Sequence, residues 1–315
     1  MHTVAKINLF LILVLTFSTI KANNQADSTL QGQKQACHRE IKVYSGITIF
    51  YSTLGYGLYT AWYKDYSTGH FHFFNDNQEW LKMDKMGHSF SCYSEAVNGM
   101  NLMDYVGLSK NKAMWIGSFI GLGMQTIVEI MDGYSNKWGF SWGDMGADVV
   151  GTSLALSQRY FWDEQRIKLC YSFHTSGLRS LRPAVLGANN LTGILKDYNG
   201  QTAWLSANIR KFARHSKFPP WLNVAVGYGA YNMVTGNPND QAFFLDSKGI
   251  LHDPSHYQRY PIIYVAPDIC LQEIPFIKKH RTLFIIARFL APLKVPLPTL
   301  QYDNNHGLKF HAFYF

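Results

Sequence analysis

The stretch Gly139-Phe140-Ser141-Trp142-Gly143-Asp144, continuing through Asp148 and Gly151 to Ala155, decides how this chain folds. Ser141 stands where a helix needs an N-cap. Asp144 follows three residues later, close to the capping-box arrangement with Asp in place of Glu. Gly143, Ala147, Gly151 and Ala155 recur at every fourth position, so one helix face carries only small side chains and a second helix can approach it closely. These features predict a tight, Gly-rich helical bundle.

Upstream lie the helices that would complete it. Trp115, Phe119, Leu122 and Ile127 share a helix that starts after Ser109 and runs to Met131, with Gly133 placed as C-cap. Its apolar run from Ala113 to Val128 is short for a membrane span and contains Gln125, which favours burial in the bundle. Before it, Asn75 or Asp76 caps a helix on which Trp80, Met83, Met86, Phe90, Tyr93 and Val97 repeat at helical spacing until Gly99. The uncharged stretch from Val43 to Tyr63 fits either a membrane span or a further bundle helix.

After Arg166 the texture changes. Asn199-Gly200, flanked by Leu195 to Tyr198 and Thr202 to Leu205, predicts a hairpin with a two-residue turn. Trp221 to Tyr231, Tyr260 to Val265 and Leu308 to Phe315 read as strands, and Ile277 to Leu290 as a helix ahead of Pro292, Pro296 and Pro298. The last strand alternates as outer-membrane barrel strands do, yet Lys309 and His311 interrupt the face that carries Phe315, so a docked C-terminal strand is the preferred reading. The expected fold class is α+β: a signal peptide over 1–22, a disordered polar lead over 23–40, a helical bundle over 41–165, and a strand-rich region over 166–315 packed on the bundle.

Composition narrows the setting. Of 315 residues 47% are hydrophobic and only 16% charged, against about 25% charged in typical soluble domains. Much of the surface is therefore expected to face a membrane or a large partner. Lys6, the apolar run from Asn8 to Ile20 and the small Ala22 form a secretory signal, which places the mature chain in the cell envelope, with the outer membrane preferred to the inner. The net charge of +8 is scattered except for Lys278-Lys279-His280-Arg281; this suits anionic lipid or envelope proteins as partners and argues against nucleic acid. Cys37, Cys92, Cys170 and Cys270 could form two disulfides, although Cys92 falls inside a helical pattern and reads as a buried thiol. Oligomeric state is not encoded in any of these features.

Three polar pairs stand in this apolar setting, each about one helical turn apart: Asp84 with His88, Glu129 with Asp132, and Asp144 with Asp148. A carboxylate one turn before a histidine can fix its tautomer and raise its basicity, or share a metal with it. Glu129 and Asp132 sit at a helix C-terminus, where the macrodipole disfavours anions by a few tenths to about 1 kcal/mol each, so a positive partner is expected. Asp144, in the first turn of its helix, is explained with Ser141 as part of a structural cap. Asp148 has no such explanation and must be paired or protonated if buried. The candidate catalytic residues are accordingly His88, Asp84 and Glu129; the candidate ligands of a divalent metal, the one cofactor indicated, are His88, Glu129, Asp132 and Asp148.

The motifs Asp84-Lys85-Met86-Gly87-His88, Glu129-Ile130-Met131-Asp132-Gly133 and Gly139 to Asp144 with Asp148 and Gly151 resemble the YfiM-type family of predicted periplasmic lipoproteins, a domain of unknown function. More distantly they resemble VanZ-like membrane proteins. The long chain, with Lys196-Asp197-Tyr198-Asn199-Gly200-Gln201, looks like the Bacteroidota form of that family. The resemblance implies an envelope location and a helical core bearing the acid and histidine motifs, and it brings no activity. The chain lacks a lipobox cysteine. Two functions follow as expectations: a non-catalytic scaffold or assembly component, which is preferred because no nucleophile or complete metal signature accompanies the acids, and a metal-dependent or acid/base hydrolase acting on envelope lipid or glycan.

Overall fold

A computed structural model describes residues 30–64, 66–240 and 242–314. The expected signal peptide, the start of the polar lead and Phe315 lie outside the described residues. Four long helices come first: α1 (Leu30–Leu58), α2 (Met83–Val106), α3 (Lys110–Gly133) and α4 (Trp142–Trp162). The polar lead is thus helical from Leu30, where disorder is expected to 40, because the same helix continues through the apolar residues that follow.

α2 begins later than its apolar spacing suggests and ends later too. Trp80, Leu81 and Lys82 all have positive φ, which breaks the path from Asp76, and Gly107 in left-handed conformation provides the true C-cap. Gly99 does not stop the helix because its missing side chain serves packing: a Cβ there would lie 2.2 Å from the carbonyl oxygen of Gly117 on α3. Likewise a Cβ on Gly151 of α4 would lie 2.0 Å from the carbonyl oxygen of Ser89 on α2, while the Ser89 hydroxyl donates to Ala147 O at 2.8 Å. The small-residue row therefore docks on α2, as its spacing predicts. Gly151→Val is expected to cost about 3 kcal/mol by forcing these helices apart, whereas Gly146→Ala, with open space around it, should stabilise by up to ~1 kcal/mol; thermal unfolding of the two variants reads the difference.

Among the described residues, Lys110–Gly133 is the one helix long and apolar enough to cross a membrane. Its Ala113 and Met114 are buried against α1, α2 and α4, and its Trp115 and Phe119 stack on the outside.

Five residues past the end of α4 the strands begin, and they alternate with short helices. The order is β1 (Ile167–Phe173), α5 (Pro183–Leu186), α6 (Asn190–Lys196), β2 (Gln201–Asn208), α7 (Ile209–Phe212), β3 (Leu222–Tyr231), β4 (Phe244–Leu245), β5 (Leu251–His252), β6 (Tyr260–Ile269), α8 (Pro275–Lys279), α9 (Arg281–Leu290), β7 (Leu297–Asp303) and β8 (Gly307–Tyr314). The expected helix over 277–290 is two, separated at His280, whose backbone is extended. The expected hairpin at Asn199-Gly200 is absent. Leu195 and Lys196 end α6, and the buried Asn199 side chain bonds both Met233 N and Met233 O, at 2.8 and 2.9 Å. A Cβ on Gly200 would lie 2.0 Å from His174 O. Asn and Gly are used here for backbone pairing and close approach, two uses that share their composition with a turn.

Six strands form one antiparallel sheet in the order β1-β2-β3-β6-β7-β8, so the C-terminal strand is docked at an edge. The sheet curls far enough that the Tyr314 hydroxyl at the end of β8 bonds Thr202 on β2 and Tyr264 on β6, at 3.1 and 2.7 Å. Inside the curl an apolar cluster of Cys170, Trp204, Ala225, Ile262, Tyr264 and Ala266 is accompanied by polar side chains: Ser206 donates to Asp268 at 2.6 Å, Asn223 to Ser206 at 2.9 Å, and Trp204 Nε1 to the Ser172 hydroxyl at 2.9 Å. Lys294 lies over the Trp204 ring and pairs with Asp268 at 3.5 Å. Leu169, on the outside of β1, packs against the buried Tyr93, Ala96, Met114 and Ala155 of the bundle, which joins the two halves. No cysteine is paired among the described residues, and Cys92 is the buried thiol its helical position predicts.

Candidate functional site

The polar pairs meet where α2, α3 and α4 cross. Close packing of α2 on α4 brings His88 against Asp148, whose Oδ1 lies 3.1 Å from His88 Nδ1, and this leaves Nε2 facing the other acids. Glu129 Oε1 and Asp144 Oδ1 each lie 3.9 Å from His88 Nε2. Asp84, one turn before His88, receives a hydrogen bond from the Tyr198 hydroxyl at 2.7 Å, which ties the sheet region to the site. Ligand atoms of Asp84, His88 and Asp144 all lie within 4.8 Å of one another, close enough to share one metal ion.

Lys85 fills the other side. Its Nζ lies 2.6 Å from both Asp76 Oδ1 and Asp144 Oδ1 and 3.8 Å from Asp84 Oδ2. Asp76 is freed for this role because it does not cap a helix, and it also accepts from the Ser141 hydroxyl at 2.7 Å. Ser141 caps α4 as expected, its Oγ accepting from Asp144 N at 3.1 Å, and its own backbone N–H donates to Glu129 Oε2 at 2.9 Å. Asp144 itself turns its buried carboxylate toward Lys85 and His88, so its place is in the charge cluster as well as in the first helical turn. Asp132 stands apart, holding the Tyr63 hydroxyl at 2.7 Å.

Five carboxylates (Asp76, Asp84, Glu129, Asp144, Asp148) thus surround two cations, Lys85 and His88, among the described residues, with Asp132 at the margin. Glu129 is 1% and Asp148 0% exposed, so water cannot balance the excess. Glu129 Oε1, Asp144 Oδ1 and Asp148 Oδ2 are buried without a hydrogen-bond partner of good geometry. Protons take up part of the charge. Burial pushes Glu129 up to about 8 and Asp132 up to about 7; burial and then the Asp84 charge push Asp144 up to about 7. For His88 burial works against the charged form, but the Asp148 hydrogen bond and the Asp84 and Asp144 carboxylates outweigh it and hold the imidazole up to about 10. Solvent reaches the cluster through the side chains of Asp84 and His88, 29% and 15% exposed.

Of the residues singled out in the sequence, the structure brings together Asp84, His88, Glu129, Asp144 and Asp148 and leaves Asp132 at the margin. It adds Asp76 and Tyr198, and of the positive partners the sequence offers for the acids, His88, Lys85 and Lys137, it places His88 and Lys85 in the cluster. The signal for Lys85 was its place inside Asp84-Lys85-Met86-Gly87-His88; Asp76 was hidden by its suitability as an N-cap, and nothing local marked Tyr198, which arrives from 114 positions away. His70 and His72 lie in an exposed loop, with the His72 ring on the His70 carbonyl. The Ser141 hydroxyl, engaged as a cap, is no nucleophile.

Residues 72–159 match the family described as predicted periplasmic lipoprotein (DUF2279), a segment that contains every acid of the cluster and His88. The chain is similar to that family over this segment, which supports a cell-envelope location; the match does not extend to the VanZ-like proteins. No curated protein and no solved structure matches the chain.

Proposed function

We propose that this chain is a cell-envelope hydrolase whose helical core holds a divalent cation between Asp84, His88 and Asp144, with Glu129 beside it as general base or further ligand. The observation that carries this reading is the buried Glu129 Oε1, which has no hydrogen-bond partner and faces His88 Nε2 at 3.9 Å, beside Asp144 Oδ1, in a cluster whose carboxylates outnumber its cations. One imidazole nitrogen with two or three carboxylate oxygens suits Zn²⁺ or Mn²⁺. Asp148 would then orient His88 from behind, as carboxylates do for metal-bound histidines. The cation would polarise a carbonyl or phosphoryl oxygen and lower the pKa of a bound water. The wet edge at Asp84 and His88 is where an envelope lipid or glycan would approach.

Metal analysis of the purified protein tests this directly. About one equivalent of Zn or Mn is expected, lost in His88→Ala, with Asp148→Asn weakening binding by ~10–100-fold. A metal-free protein that takes up neither ion on dialysis would sink the proposal. A scaffold or assembly role is the second reading. It is favoured by the way each acid ties down a different segment, as Asp132 does Tyr63 and Asp84 does Tyr198. Under it His88→Ala would lower stability and leave hydrolysis of lipid esters, phosphoesters and glycans absent in parent and variant alike.

A further inference from the structure

The curled sheet carries a large exposed apolar face on its outside in addition to the core it encloses. Its inner face mixes the buried polar Ser206, Asn208, Asn223, Asp268 and Thr299 with an apolar core around Trp204, Ile262 and Tyr264, and its outer face, away from the parts of β1 and β3 that pack on the helices, carries exposed aliphatic and aromatic side chains. One outward row runs straight across the ladder. Leu205 on β2 is opposite Val226 on β3, Val226 opposite Val265 on β6, Val265 opposite Leu300 on β7, and Leu300 opposite Phe310 on β8. All five are exposed. A second exposed row follows through Ile263, Tyr302 and Leu308, while Tyr228, opposite Ile263, packs on the Met83 cluster. At about 4.8 Å per strand the first row alone is roughly 20 Å wide, and neither row contains a charge.

Helix α9 lies at one rim of this wall, between the end of β6 and the start of β7. It turns Ile285, Ile286 and Phe289 outward, Phe289 being 84% exposed, while Ala287 alone is buried. Ahead of it comes the basic run Lys278-Lys279-His280-Arg281, and Arg288 follows within the helix. An amphipathic helix with an apolar face and flanking basic residues is the form that lies in the headgroup layer of a membrane, and the basic run complements anionic lipid at about 1 kcal/mol per residue near the surface. A protein partner would call for polar groups among the apolar ones to fix its register. The wall offers none across its first row.

We infer that the outer wall of β2, β3, β6, β7 and β8, together with α9, is a membrane-binding face, seated on a bilayer that carries anionic lipid. The wall contacts acyl chains and the basic rim contacts headgroup phosphates. This does not depend on the metal reading, since no residue of the acid cluster belongs to the face.

Vesicle flotation of the full chain tests it, using phosphatidylethanolamine with phosphatidylglycerol and, separately, phosphatidylcholine alone. The parent is expected to float with the anionic vesicles and to bind neutral ones at least 10-fold less. Ile286→Ser with Phe289→Ser should lower binding by 10-fold or more, and Lys278→Glu with Lys279→Glu should remove the preference for anionic lipid. All these positions are exposed, so folding is not at stake. Trp placed at Val226 or Leu300 should be quenched by lipids brominated on the acyl chain. Parent protein that stays unbound, or Trp at both wall positions that is unquenched while the protein floats, would overturn the assignment; a lipid-independent dimer that shields those tryptophans would assign the wall to a second copy and overturn it equally. His88→Ala should float as the parent does, which keeps this outcome separate from that of the metal experiment.

Discussion

Lys85→Met is expected to destabilise the protein by about 3–5 kcal/mol, because it removes one member of a buried ionic group and leaves the others unpaired. The ammonium group sits 2.6 Å from two carboxylates contributed by different elements, Asp76 from the segment before α2 and Asp144 from the first turn of α4. Its side chain is 9% exposed, so solvent does not replace the lost charge. Burial alone would lower the Lys85 pKa, yet the Asp144 and Asp84 charges raise it, so the amine is charged wherever the protein is folded. The double variant Lys85→Met/Asp144→Asn removes an anion along with the cation and should recover about 1–3 kcal/mol of the loss, the coupling of a contacting pair. Denaturant unfolding of the parent, both single variants and the double variant measures that coupling. A single-variant loss under about 1 kcal/mol, or additive effects, would show that Lys85 is a bystander.

The residues that were legible in the sequence are those whose cause is local. The row from Gly143 to Ala155 has one physical use, the close approach of a second helix, and the structure supplies the helix. Asp148 was marked by the absence of any local reason for a carboxylate there, and it is the group that bonds His88. Composition misleads where one residue type serves two purposes. Gly99 looks like a stop and is a contact, Asp76 looks like a cap and is an ion-pair partner, and Asn199-Gly200 looks like a turn and is a buried side-chain-to-backbone junction. The alternation of Leu308 to Tyr314 fits the docked strand that the structure shows, but one strand alone does not fix its direction, polar side inward. It takes the cross-strand register from Leu205 to Phe310 to show that the whole wall faces outward with its apolar side.

Stability in the absence of metal is expected to fall as pH rises from 5 to 9, the reverse of the usual acid denaturation. Glu129, held up to about 8, and Asp132 and Asp144, each held up to about 7, bind their protons more tightly in the folded chain than at the ~4 of an unfolded carboxyl. A raised folded pKa contributes stability that is complete below the unfolded value and is lost as pH climbs through the folded one. For these three acids the loss therefore runs from about pH 4 to about pH 8. His88, held up to about 10 against an unfolded value of ~6.5, loses its contribution later but in the same direction. Asp76 runs the other way, because burial, which would raise it, is outweighed by its hydrogen bonds, those from Lys85 and Ser141 included. One opposing acid does not balance three acids and a histidine. In EDTA the Tm should drop by roughly 10 °C across this range for a chain of this length. A divalent cation should flatten the curve, because it replaces the protons as the source of positive charge, and its binding should release protons and tighten as pH rises. Calorimetric titrations in two buffers of different ionisation enthalpy count those protons. A Tm that stays level or rises between pH 5 and 9 would mean that the carboxylates are already neutralised by fixed charge, and the electrostatic case for a metal in this cluster would fall with it.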